Sequence, residues 1–198
     1  TGIQWGLYPN TDSNDHNFEI NEGKWNIVSA SEYLLSLGVP SDKIIAGMGM
    51  YGRGWKNVPN INNGLFQETT GGGITGAYSP DEDGFIMYNC LFGKTTNTSS
   101  VIQEYCAKYG RENKAEYHHT LYNNQNKPVG SYYYNPETKD FISYTSPFMV
   151  KETAKYINEK DLGGGMFWAF TGDVPYSKLD EWKKDGVESL LEIFEAEE

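Results

Sequence analysis

Two short runs hold most of the side chains suited to chemistry. Met48-Gly49-Met50-Tyr51-Gly52-Arg53-Gly54-Trp55 interleaves a phenol, a guanidinium and an indole with glycine, and Gly163-Gly164-Gly165-Met166-Phe167-Trp168-Ala169-Phe170 ends in aromatics. A phenol and a guanidinium donate to hydroxyls or orient carboxylates, and a flat indole offers a large contact area at little entropic cost. The acids are less suited to catalysis: Asp81-Glu82-Asp83 and Asp180-Glu181 are the densest groups, and neither ends a buried apolar strand. His16, His118 and His119 lack metal-ligand spacing with carboxylates or cysteines and are expected in solvated loops. Cys90 and Cys106 are too few to bind a metal alone; one disulfide and a free buried pair both fit. Asn97-Thr98-Ser99 matches the glycosylation sequon, a pattern that often arises by chance.

The elements that must position these residues follow from pattern. Residues 6–26 are rich in Asn, Asp and Gly without a sustained period and predict a long loop. Ser29-Ala30-Ser31-Glu32 matches a capping box, and Tyr33, Leu34 and Leu37 form one apolar stripe ended by Gly38 and Pro40, so a short helix is expected over residues 30–37. Ile44, Ala46, Met48 and Met50 alternate with Ile45, Gly47, Gly49 and Tyr51, which predicts a fully buried strand. Its second face is small as far as Tyr51 and leaves room for something inside.

From residue 56 to 145 short aromatic runs alternate with Gly- and Asn-rich turns, as in a set of short strands, with one helix opening at Ser100 and ending near Gly110. Ser146 and Pro147 start a second long helix that places Val150, Ala154 and Ile157 on one face and ends near Lys160. Residues 162–170 read as a second buried strand. Ser177 opens a terminal helical region interrupted at Gly186, after which Val187, Leu190, Leu191 and Phe194 share one face. Two buried strands separated by a helix imply parallel neighbours. The segments are 1–55, 56–145 and 146–198.

Composition narrows the partners. A formal charge of −11 and a pI near 4.7 argue against nucleic acid or an anionic membrane, since phosphate binding needs clustered cations. No segment approaches the ~20 apolar residues of a membrane span. Thr1-Gly2-Ile3-Gln4-Trp5 lacks the charged and apolar regions of a signal peptide, so a mature or truncated start is expected. Aromatics make up 15% of the chain; tyrosines that fill strands and cover core edges account for most of them, and the rest suit a surface that stacks on sugar rings.

Several fragments fall in a specific order: Leu37-Gly38-Val39-Pro40 with Lys43-Ile44-Ile45; Tyr51-Gly52-Arg53-Gly54-Trp55; Gly84-Phe85-Ile86-Met87-Tyr88; Tyr132-Tyr133-Tyr134-Asn135-Pro136; Phe141-Ile142-Ser143-Tyr144; and Leu162-Gly163-Gly164 leading into Met166-Phe167-Trp168, with Gly172-Asp173 after it. That order resembles the family 18 glycoside hydrolases, the chitinase family. The resemblance implies an α/β fold, the C-terminal part of a (β/α)₈ TIM barrel carrying strands seven and eight, with an inserted α+β lobe over residues 56–145. It implies chitin or chitooligosaccharides as ligand, a secreted or extracellular location, and no cofactor or metal. Trp168 corresponds to the tryptophan that floors the subsite of the reacting sugar, with Tyr51 and Arg53 near it and Trp55 at the cleft edge. Glu82 sits where some members place a substrate-contacting glutamate of the inserted lobe, and Ala169 stands where several bacterial members have glutamate.

The same family cleaves with an Asp-x-x-Asp-x-Asp-x-Glu cluster at the end of strand four. Its glutamate protonates the glycosidic oxygen while the substrate's own acetamide attacks, an exception to the paired-carboxylate scheme. This chain contains no such spacing, so no catalytic residue is assigned within it. A closed barrel takes ~250 residues. The expected partner is therefore the missing N-terminal half, in the same gene or on another chain. A non-catalytic chitin-binding or lectin-like protein and a structural component of a larger assembly are the alternatives.

Overall fold

The computed structural model describes residues 1–3, 6–14, 23–75 and 83–197. His16 and Glu82 lie outside the described residues.

The first helix, α1 (Ile27–Ser36), starts earlier than the capping box predicts. Asn26 is its N-cap: Oδ1 accepts from the Ser29 amide at 2.8 Å while Nδ2 donates to the Gly23 carbonyl at 2.6 Å. Asparagine serves this position as well as serine does, which leaves Ser29 inside the first turn. Gly38, at φ +83°, turns the chain out of the helix.

Strands β1 (Ile45–Gly49) and β7 (Gly164–Trp168) pair in parallel, with Ile45 opposite Gly164 and Gly49 opposite Trp168. The crossover between them ends in α4 (Pro147–Glu159), whose Ser146 cap accepts from the Met149 amide and whose Met149, Val150, Ala154 and Ile157 are buried. Only half of the expected burial of β1 is realised. Ala46 and Met48 face the α4 core, whereas Ile45 is 52% exposed and Met166 on β7 is 47% exposed. No described layer covers that second face, so it stays open.

Met50 alone separates β1 from β2 (Tyr51–Trp55), and it is fully buried. Its amide donates to the Trp168 carbonyl at 2.8 Å, and its own carbonyl accepts from Tyr88 at 2.9 Å. The chain then enters an antiparallel sheet of order β3-β2-β6-β5-β4, with β3 Phe85–Met87, β4 His118–Tyr122, β5 Pro128–Asn135 and β6 Asp140–Tyr144. Every residue of β5 is buried because the sheet is covered on both faces. Tyr133, Ile142 and Tyr144 join the main core, while Val129, Tyr132, Tyr134 and Phe141 join a smaller one with Val58 and Leu65.

His118 and His119 depart from the expectation of solvated loops. Both lie in β4: His118 Nδ1 meets the Tyr144 hydroxyl at 2.8 Å and Nε2 meets Asn113 Oδ1 at 2.9 Å, and His119 stacks on Tyr132 at 4.9 Å. Imidazole packs against aromatic edges as readily as it solvates, and the strand supplies the partners. Burial lowers the pKa of both rings, with neighbouring His119 adding to the effect on His118.

The cysteines form one disulfide, Cys90–Cys106, between α2 (Tyr88–Leu91) and α3 (Ser100–Tyr109). Asn97 is exposed within the loop it closes. Near the C-terminus α5 (Leu179–Lys183) and α6 (Leu190–Glu195) flank Gly186 at φ +75°. Buried Asp173 holds the start of α6, accepting from Leu190 N and Ser189 Oγ, each at 2.8 Å, and from Leu191 N at 3.1 Å.

Candidate sugar-binding cavity

The open face of β1 and β7 meets the antiparallel sheet at a cavity of about 420 Å³. That volume lies in the range of small-ligand sites. Gly47 and Gly49 supply part of its wall, which is the space that the small face of β1 predicts.

The local sequence around Tyr51 explains how a phenol and a guanidinium reach it. Along β2, Tyr51 and Arg53 share one face while Gly52 and Gly54 share the other. A Cβ on Gly52 would lie 2.8 Å from the Ile142 side chain, and one on Gly54 would lie 2.5 Å from the Phe141 carbonyl oxygen. Glycine at both lets β6 approach closely, and the ladder runs Gly52–Tyr144, Arg53–Ser143, Gly54–Ile142. The Tyr51 ring lies against Gly49, where an added Cβ would be 2.9 Å from it, and packs on Phe85 at 5.0 Å. The Arg53 guanidinium carbon sits 5.0 Å above the same Phe85 ring. One phenylalanine thus touches both side chains.

Trp168 ends β7, opposite Gly49, and is 69% exposed. Its peptide bond to Ala169 is cis. The structure brings Trp168, Tyr51 and Arg53 to one cavity. Trp55 does not line it: the indole packs 6.3 Å from Phe141 and belongs to the smaller core. Glu82 falls outside the described residues.

Sequence reasoning passed over Trp25, Asn26, Ser131, Ser143 and Met166, all of which line the cavity. Trp25 sits in a segment whose polar composition reads as loop, and only its type marks it. Ser131 and Ser143 come from adjacent strands of the antiparallel sheet and are visible only once β5 and β6 pair, Tyr132 opposite Ser143. The charged residues among the described lining are Lys24 and Arg53, so no carboxylate there is placed to act as an acid. Tyr144 also lines it, and burial raises its hydroxyl above the usual phenol range. Among the described residues no group of His, Cys, Asp or Glu is arranged to hold a metal, and no helix is long and apolar enough to cross a membrane. The arrangement offers flat apolar contact beside hydroxyl, guanidinium and phenol groups.

Comparison with known proteins accords with this geometry. The profile of the glycosyl hydrolases of family 18 matches residues 4–173. Chitinase A1 of Niallia circulans is 32% identical over 161 residues, which is 81% of this chain and 20% of that protein. Chitinase B of Serratia marcescens is 30% identical over 145 residues, 71% of this chain and 27% of that protein. The solved structure of chitinase ChiA74 from Bacillus thuringiensis superposes with a TM-score of 0.68 at 25% identity, covering 100% of this chain and 28% of its own. The chain thus spans a third or less of the length of these relatives.

Proposed function

The chain belongs to family 18 of the glycosyl hydrolases, and from that premise we propose that it forms the part of a chitin-hydrolysing enzyme that walls and floors the sugar cleft. In this reading β1 and β7 are the seventh and eighth strands of a (β/α)₈ barrel and residues 56–145 are a lobe inserted between them. The open face of β1–β7, with Ile45 and Met166 exposed, supports the presence of further strands, because parallel sheets are ordinarily covered on both faces. In this reading those strands belong to an N-terminal half, in the same gene or on another chain, that carries the acidic motif. The location is secreted or extracellular.

The observation that carries the proposal is the convergence of Trp168, Tyr51 and Arg53 on one cavity from two different sheets. Trp168 stacks on the apolar face of a pyranose. Tyr51 and Arg53, both packed on Phe85, donate to its hydroxyls or to the acetamide oxygen. Fixing the acetamide is what substrate-assisted cleavage requires of this wall: the acetamide oxygen bonds to the anomeric carbon as the glycosidic bond breaks, and the departing oxygen takes its proton from the acid of the other half.

Turnover of a fluorogenic chitobioside tests the assignment. This polypeptide alone is expected to show none, and the complex with an N-terminal half bearing the acidic motif is expected to show turnover that falls with Trp168→Ala. Turnover by this chain alone that a point mutation within it abolishes would overturn the division of labour. One observation favours a second reading, a sugar-binding module that does not cleave: the charged residues lining the described cavity are cationic. Turnover in the reconstituted complex separates the two.

A further inference from the structure

Resting on the sugar-binding reading above, we propose that Trp25 is a second stacking platform of the cavity, working with Trp168 on an N-acetylglucosamine oligomer rather than on a single sugar. Trp25 lines the same cavity as Trp168 and is 62% exposed. The two indoles reach it from separate places, one just before α1 and the other at the end of β7.

Hydrogen bonds tie down the backbone on the C-terminal side of Trp25. Asn26 is buried, donates from its amide to the Lys24 carbonyl at 3.0 Å and from Nδ2 to the Gly23 carbonyl at 2.6 Å, and caps α1 through Oδ1. These bonds close a tight turn with Trp25 at its tip. The Gly6–Leu7 segment ties the turn to β5, since the Gly6 carbonyl accepts from the Ile27 amide at 3.1 Å and the Leu7 amide donates to the Val129 carbonyl at 2.7 Å. A large apolar side chain shown to solvent from a pinned turn is costly for stability, because its area stays in water while its backbone has lost its freedom. The same arrangement suits binding: an indole presented on an ordered backbone loses little further entropy when a ring stacks on it.

Two platforms in one cavity select for a ligand with more than one apolar ring face. A β-linked pyranose chain presents such faces on successive sugars, whereas a monosaccharide covers one indole only. Trp25 is therefore a chain-length determinant, and its removal should weaken long ligands more than short ones.

Oxidation of the wild-type chain by N-bromosuccinimide, read residue by residue by mass spectrometry, tests this without a variant. The N-acetylglucosamine tetramer is expected to protect both Trp25 and Trp168. Protection of Trp168 with unchanged oxidation of Trp25 overturns the inference and leaves the cavity assignment standing. Protection of neither, at saturating tetramer, overturns both. Calorimetry adds the length dependence: Trp25→Ala should weaken the tetramer about tenfold, the scale of an anchoring aromatic, and the dimer far less, with Trp25→Tyr keeping most of the affinity. Equal losses for dimer and tetramer would contradict a chain-length role.

Discussion

The amide of Met50 donates to the carbonyl oxygen of Trp168 at 2.8 Å, which ties the end of β7 to the residue through which the chain passes from β1 into β2. Tyr51 follows Met50 directly, so the phenol of one sheet and the indole of the other are set by the same residue. Gly172 backs the joint: a Cβ there would lie 2.1 Å from the Met50 carbonyl oxygen. Gly172→Ala must push Met50 away. We expect it to cost about 1–3 kcal/mol in a denaturant melt and to weaken oligosaccharide affinity as well. A variant as stable as wild type would show that the joint yields.

Gly47 offers the opposite case. Its added Cβ would meet the Met166 methyl at 3.5 Å, an ordinary contact, and would project into the cavity. Gly47→Ala should change stability by about 1 kcal/mol or less while lowering oligosaccharide affinity measured by calorimetry. Unchanged affinity would place the ligand elsewhere.

Arg111 and Asp140 form an ion pair at 3.2 Å with little exposure of either side chain, and burial raises the Asp140 carboxyl more than Arg111 lowers it. The pair is costly to break and of small net benefit. Arg111→Met should destabilise by about 3–5 kcal/mol, and the double change Arg111→Met with Asp140→Leu should recover most of that loss. A double variant as unstable as the single one would contradict this account.

Acid should loosen the antiparallel sheet through the histidines of β4. His118 and His119 have folded pKa values below their ordinary 6.5, because burial disfavours the charged ring. Between that lowered value and 6.5 the unfolded chain binds more protons, so stability rises with pH through this window and is lost as pH falls through it. Melting temperature recorded against pH should drop on acidification below about 6.5. His119→Phe, which keeps the stack on Tyr132, should flatten part of that slope; an unchanged slope would assign the loss to other groups.

Much of this was legible in the sequence where one local rule decides. The α4 start at Ser146–Pro147 and the α3 end at Gly110 follow from capping alone. Tyr51, Arg53 and Trp168 are singled out by the resemblance to the family, and the fold brings them to one cavity. The cap of α1 was misplaced because Asn26 and Ser29 both carry the right chemistry, and only the hydrogen bond from the Ser29 amide tells them apart. Trp55 shares a face of β2 with Tyr51 and Arg53, yet its indole packs on Phe141 across the ladder, a consequence of strand pairing that periodicity does not contain. His118 lies beyond reach for the same reason, since Tyr144 and Asn113 become its partners only when the lobe folds.

Calorimetric titration of the folded chain with the N-acetylglucosamine tetramer, for wild type and Trp168→Ala side by side, tests the central claim most directly. The account predicts saturable binding by the wild type and at least a tenfold loss in the variant, as for an anchoring aromatic. Equal affinity in the two proteins, or no binding by a wild type shown to be folded, would contradict it.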